Sequence, residues 1–187
     1  MIKKILFIFF LLYLNNYKIF SQSCGKERWG VKTLTDSDTT KINFNHILRS
    51  SIHEQISIHP PDGKLNKRIA SETTVYSITC YIVSYKKESD QDIHLVIMDP
   101  ETKETMVAEI ANPSCTDVMH SNQLNKFIKT YDWFISHIGK PTSKFKNVVN
   151  SKPVTITGVG FWDHLHGQKG MANGGREIHP VLSIKFQ

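Results

Sequence analysis

The chain has 187 residues, 40% hydrophobic and 21% charged, with a formal net charge of +6. That length suits one domain with an ordinary core, and the composition excludes collagen-like, coiled-coil and disordered classes. Lys3, Lys4 and Lys18 lie in the first 23 residues; without them 20 basic residues stand against 17 acidic, or +3, too little for charge alone to mark a nucleic-acid binder.

Met1-Ile-Lys-Lys is a short basic start, and residues 5–14 are an unbroken apolar run closed by Asn15-Asn16. With the small residues Ser21 and Ser23 behind it, this is the layout of a secretory signal over residues 1–23, too short to span a membrane. It predicts an exported protein, periplasmic or secreted. A lipoprotein anchored at Cys24 is the weaker alternative, because the apolar run stops well before that cysteine.

Export favours disulfide formation among three cysteines. Cys80 falls in the alternation Tyr76, Ile78, Cys80, Ile82 and points into a core. Cys24 and Cys115, in polar and irregular surroundings, are the better pair. The alternatives are that all three stay reduced or that Cys24 is lipidated.

Residues 27–36 mix β-branched and aromatic side chains and read as a short strand. Residues 41–72, with the turn Pro60-Pro61-Asp62-Gly63, are hard to assign, so residues 24–72 read as an extension packed on the main domain. Residues 73–85 form a long alternating strand, apolar on both faces, with Tyr76, Ile78, Cys80 and Ile82 on one and Val75, Tyr81, Val83 and Tyr85 on the other. Strands follow at 92–98 and 104–110; in the latter Met106, Ala108 and Ile110 share one face and Thr105, Val107 and Glu109 the other. A helix over 121–138 carries the stripe Leu124, Phe127, Ile128, Tyr131, Phe134, Ile135, Ile138, with Ser121 as cap and Gly139 and Pro141 at its end. Strands at 153–162 and 177–186 close the chain, the last with Ile178, Leu182, Ile184 and Phe186 facing in. This order is mainly β: an OB-like five-stranded β-barrel over 73–187 with one α-helix between strands 3 and 4.

Polar chemistry is densest between the last two strands, where Asp163, His164, His166, Glu177 and His179 surround a glycine-rich loop. Glu177 and His179 share the outward face of the last strand. If His166 folds over them, His166, Glu177 and His179 form a set that zinc accepts, with His94 as a fourth ligand if the barrel allows. The spacing matches no standard zinc signature, so a divalent metal is the only cofactor considered and none is required. The bland alternative is a brace in which Glu177 or Asp163 bonds loop N–H groups or an imidazole.

OB domains bind strands or sugars across their second and third strands, between the first-to-second and fourth-to-fifth loops. Lys86, Lys87, Trp162, His164, His166, Lys169 and Arg176 lie in those loops and suit stacking plus phosphate contacts. A polyanion or single-stranded nucleic acid is therefore the first expectation for a ligand. A metal-dependent hydrolase or nuclease-like enzyme, with Glu177 or His166 as base, is the alternative. No catalytic elbow or clustered acidic pair supports it, and Cys80 is buried, so the balance leans away from an enzyme. A structural or partner-protein module in the envelope is the third reading.

Glu27-Arg-Trp-x-Val-Lys-Thr, Thr35-Asp36, His94-Leu-Val-Ile with Asp99, Ala108-Glu-Ile, Cys115, His166-Gly-Gln-x-Gly, Asn173-Gly and Glu177-x-His-Pro-Val-Leu182 together resemble a group of exported bacterial proteins of uncharacterised function. The resemblance covers nearly all of the chain after its leader; it implies export and an OB-like fold and no particular activity. The group's pattern has Asn-Gly followed by an apolar residue, whereas this chain has Asn173-Gly-Gly-Arg, which implies a loop one residue longer.

Overall fold

A computed structural model describes residues 24–63, 65–165 and 167–187. The leader expected at 1–23 lies outside them. Seven strands join one sheet among the described residues: β1 (Ile47–Ser50), β2 (Val75–Lys87), β3 (Ile93–Met98), β4 (Thr105–Ile110), β5 (Lys146–Asn147), β6 (Pro153–Trp162) and β7 (Arg176–Phe186). Five of them close a barrel in the order β2-β3-β4-β7-β6, with β6 pairing back to β2. All barrel pairs are antiparallel except β4 with β7. The long first strand, the parallel third-to-fifth pair and α4 (Leu124–His137) between the third and fourth barrel strands make it OB-like, as the element order predicts.

Period-two alternation fills the barrel. Ile78, Cys80 and Ile82 of β2 meet Ile93, Leu95 and Ile97 of β3, Met106, Ala108 and Ile110 of β4, and Ile178 and Ile184 of β7. A register shift between Ile82 and Ser84 turns Tyr85 inward too, against the face alternation had given it. Its ring packs edge-on to Phe134 of α4, with centroids 5.1 Å apart, so α4 contributes to the same core. The burial of Cys80 raises its thiol pKa and leaves it unreactive.

Further register shifts lie between Thr157, Gly158 and Gly160, opposite the stretch holding the cis His179–Pro180 peptide. Strict alternation therefore fails in β7: Val181 joins the barrel core, while Leu182, expected beside Ile178, turns into a second cluster with Trp29, Leu34, Val75 and Val159. Phe186, also expected inside, is 40% exposed at the rim, against Trp133.

The second cluster lies under the N-terminal segment. Residues 27–36 are not a strand; α1 (Trp29–Lys32) forms a single turn, entered through Arg28 in the left-handed region (φ 47°). The segment joins no strand, and its side chains diverge to separate anchors. The Trp29 indole N–H donates to Asp117 Oδ2 in α3 (Thr116–Met119) at 2.7 Å, and Arg28 forks onto Glu72 at 2.7 and 2.8 Å. Cys24 bonds to Cys115, 91 residues away, as expected; closing so long a loop stabilises by about 4 kcal/mol in the chain-entropy model. The region left unassigned contains β1, parallel to β2, and α2 (Ile52–Ile56), whose start carries a Ser51–Glu54 capping box.

Arg68 ties this layer together, donating to both Asp36 oxygens and to the carbonyls of Val31 and Glu72. Burial acts to raise the Asp36 pKa, but the bonds from Arg68 and Thr39 outweigh it and hold the carboxyl below its usual range. The stabilisation is thus present above about pH 4 and is lost as pH falls through the lowered folded value. Asp36→Asn is expected to cost about 2 kcal/mol near neutrality and to flatten the acid limb of stability, read by urea melts between pH 2 and 7.

Candidate functional site: an acidic cleft on the outer barrel face

With Ile93, Leu95 and Ile97 inside, β3 presents His94 and Val96 outward, and β4 likewise presents Val107 and Glu109. His94 and Glu109 are directly paired across the strands, and β7 runs alongside with Glu177 opposite Val107. The outer face of the second, third and fifth barrel strands therefore carries four ionisable side chains, His94, Glu109, Glu177 and His179, in one patch. All are buried, because the N-terminal segment, the 88–92 turn and the 163–175 loop cover them.

Glu109 is the centre. Its Oε1 lies 3.2 Å from His94 Nδ1 and its Oε2 3.1 Å from His179 Nδ1. His179 Nε2 in turn stands 3.3 Å from Asp92 Oδ2, while Asp92 Oδ1 accepts the Asn112 backbone N–H at 2.9 Å. Glu88 Oε1 lies 3.2 Å from His94 Nδ1. Lys32, buried beside them, reaches Asp163 Oδ1 at 4.0 Å and stands 5.4 Å from the centre of the Phe161 ring.

This crowding splits the carboxyl groups. Burial alone would raise the Glu109 pKa, but the positive charge and contacts of His179, with help from His94 and Lys32, hold it well below the ordinary range. Glu177 goes the other way: burial, then the negative charges of Glu109 and Asp163, push it well above. Asp92 is raised to about 6, chiefly by burial against the opposing pull of His179. Burial works to lower both imidazoles, yet the acids win and raise His94 to about 10 and His179 to about 9. Lys32 is raised as well, since Glu109, Asp163, Glu177 and Asp90 outweigh its burial. The two carboxyl groups are thus pushed in opposite directions by their surroundings.

Several atoms here have no hydrogen bond among the described residues: Asp92 Oδ2, both Glu177 oxygens and both His179 nitrogens. The two His179 contacts are close enough for ion pairing but miss hydrogen-bond geometry. A cleft of about 360 Å³ opens onto this patch, lined by Lys32, Glu88, Asp90, Glu109, Asp163 and Gln168 among others.

The covering loop is pinned at Lys169, whose carbonyl accepts from His94 Nε2 at 3.1 Å. The next residue, Gly170, has φ +83°, and a Cβ there would stand 2.5 Å from Val96 on the outer face of β3. Gly170→Ala is therefore expected to cost roughly 2 kcal/mol or more and to speed amide exchange in the 167–171 stretch.

Of the residues expected to contact a ligand, His166 lies outside the described residues. Lys86 Nζ makes an ion pair with Glu88 Oε1 at 3.0 Å, and both it and the exposed Lys169 stand 5.0 Å from the Phe145 ring centre. Lys87 donates to Gln91 Oε1 at 3.1 Å, and His164 Nε2 stands 2.8 Å from Glu27 Oε1. Trp162 and Arg176 do not face solvent. Trp162 is buried with its indole N–H on Ser71 Oγ, and Arg176 is fully buried between the Tyr76 and Trp162 rings, donating to Gln55 Oε1. Arg176 is thereby closed off from a phosphate, whereas Trp162 still borders a cleft of about 260 Å³ with Arg28 and His164. The expected metal set is also rearranged: Glu177 and His179 do share the outward face, but they are sealed, and the groups that converge with histidine nitrogens are Glu88, Asp92 and Glu109. The trace these acids left in the sequence is an ionisable residue on the outward positions of apolar strands, His94 in one and Glu109 in the next.

Comparison with protein-family models, with curated proteins and with solved structures finds no match for the chain.

Proposed function

We propose that this is an exported OB-like binding protein whose ligand carries positive charge and enters the cleft over β3 and β4. The observation that carries this reading is the charge balance on the face that OB domains use for ligands. Glu27, Glu88, Asp90, Glu109 and Asp163 put five carboxyl groups on the lining of the cleft against the two amines of Lys26 and Lys32, with Lys86 reaching Glu88 from outside the lining. A concave acidic wall of this kind focuses field lines and concentrates cations. Export is supported by the Cys24–Cys115 disulfide, by the basic-then-apolar start of the chain and by the resemblance to exported bacterial proteins. Among the described residues no helix is long and apolar enough to cross a membrane.

The reading is tested by calorimetric titration with spermidine and with oligo-dT at low ionic strength. Spermidine is expected to bind and to weaken as salt rises. Binding of oligo-dT with none of spermidine overturns the reading. That outcome would favour a polyanion along the rim where Lys86 and Lys169 flank Phe145, a feature that suits base stacking with phosphate contacts.

A further inference from the structure

We propose that Glu88, His94 and Glu109 together hold one divalent metal ion at the floor of the cleft. The proposal rests on the cationic-ligand reading and narrows it to a metal. His94 Nε2 donates to the Lys169 carbonyl, and this is the outer support that metal-binding histidines usually have. It keeps a proton on Nε2, so that a metal which displaces the Nδ1 proton meets a lone pair facing the two carboxylates. Nδ1 stands 3.2 Å from Glu109 Oε1 and 3.2 Å from Glu88 Oε1. Two donor atoms that each lie about 2.1 Å from a shared ion, at angles between square and tetrahedral, stand roughly 3.0–3.4 Å apart. The observed separations fall inside that window.

A second, independent feature points at the same place. His179 is fully buried and has neither nitrogen in a hydrogen bond, yet its Nδ1 is aimed at the far oxygen of Glu109 at 3.1 Å. Asp92 Oδ2 stands behind it, 3.3 Å from Nε2 and likewise without a hydrogen bond. Unsatisfied polar atoms are costly at such depth, and so many in one patch mark a place arranged around charge rather than packing. Because the His179 ring lies between two carboxylates and is sealed from solvent, Asp92, Glu109 and His179 form the support. Glu88 and Glu109 line the open cleft, which provides an entry path and leaves a coordination position for water or a further ligand. One imidazole with two carboxylates suits zinc, with manganese next. Lys86, now 3.0 Å from Glu88 Oε1, is the cation that the metal would displace.

The test uses the chain after chelator treatment, titrated with zinc alone and read by calorimetry and by Tm. One equivalent is expected to bind and raise Tm. Glu88→Gln is expected to weaken binding tenfold or more while its zinc-free Tm stays near that of the unsubstituted chain, since the Glu88 side chain is 20% exposed. His94→Gln is expected to abolish binding; where that variant does not fold, Glu88→Gln decides. Failure of the unsubstituted chain to bind zinc, or equal affinity in Glu88→Gln, overturns the proposal. Spermidine binding without zinc binding removes the metal and leaves the cleft reading in place, whereas binding of neither removes both.

Discussion

Glu109→Gln is expected to destabilise the protein by about 3–5 kcal/mol, the range for removing one partner from a buried ion network. Glu109 is the carboxylate that both His94 and His179 face, and it helps hold Lys32 charged in a buried position. An amide in its place keeps the shape but removes the charge that compensates three buried cations. The imidazoles then relax by giving up protons, so the variant should also show the His179 ring titrating lower than about 9. Urea melts at pH 7 read the first effect and ring-proton NMR the second. A cost below about 1 kcal/mol, with the His179 titration unchanged, would show that the network is not organised around Glu109.

The second large effect is expected at a residue that does not line the cleft. Glu72 is fully buried and accepts four hydrogen bonds. Its Oε1 takes Arg28 Nη1 at 2.7 Å and the Trp162 backbone N–H at 3.0 Å; its Oε2 takes Arg28 Nη2 at 2.8 Å and the Ile69 N–H at 3.2 Å. One carboxylate thus clasps the N-terminal segment, the turn before β2 and the end of β6. Glu72→Ala is expected to cost about 3–5 kcal/mol, because it strands a part-buried guanidinium and two backbone donors at once. Amide exchange should accelerate at Trp162 and at Ile69 but stay slow in the barrel interior around Leu95. Loss of protection across the whole barrel at equal rates would mean that Glu72 supports the global fold rather than this joint.

The barrel was legible because its strands alternate cleanly and α4 carries an apolar stripe long enough to leave no other assignment. Where the backbone departs from regular pairing, alternation misled: the bulge near Ser84 brought Tyr85 in, and the shifts around Gly158 sent Leu182 out. No sequence period encodes such extra residues. The 27–36 segment failed for a different reason. Its Trp29 and Arg28 serve long-range anchors, Asp117 and Glu72, distant in sequence and invisible to local propensity.

The site was legible in part. The outward pairing of Glu177 with His179 and the disulfide both follow from the residues themselves. The charge sign of the cleft did not, because the loop cations attracted attention while the acids sat scattered at Glu88, Asp90, Asp92 and Glu109. Only barrel closure, which sets β4 between β3 and β7, gathers those acids about two histidines. Arg176 shows the converse. A basic residue in a glycine-rich loop reads as a phosphate contact, yet here it starts β7 and is folded under two aromatic rings.

The most direct test of the central claim, that the outer barrel face around Glu109 receives positive charge, is amide chemical-shift mapping during a spermidine titration. The account predicts saturable shifts confined to the 88–94 turn and strand, Glu109 and the 163–170 loop, with Glu109→Gln weakening them. Shifts that gather instead along β1 and α2, or that leave the Glu88–His94 stretch unmoved at saturating ligand, would contradict it.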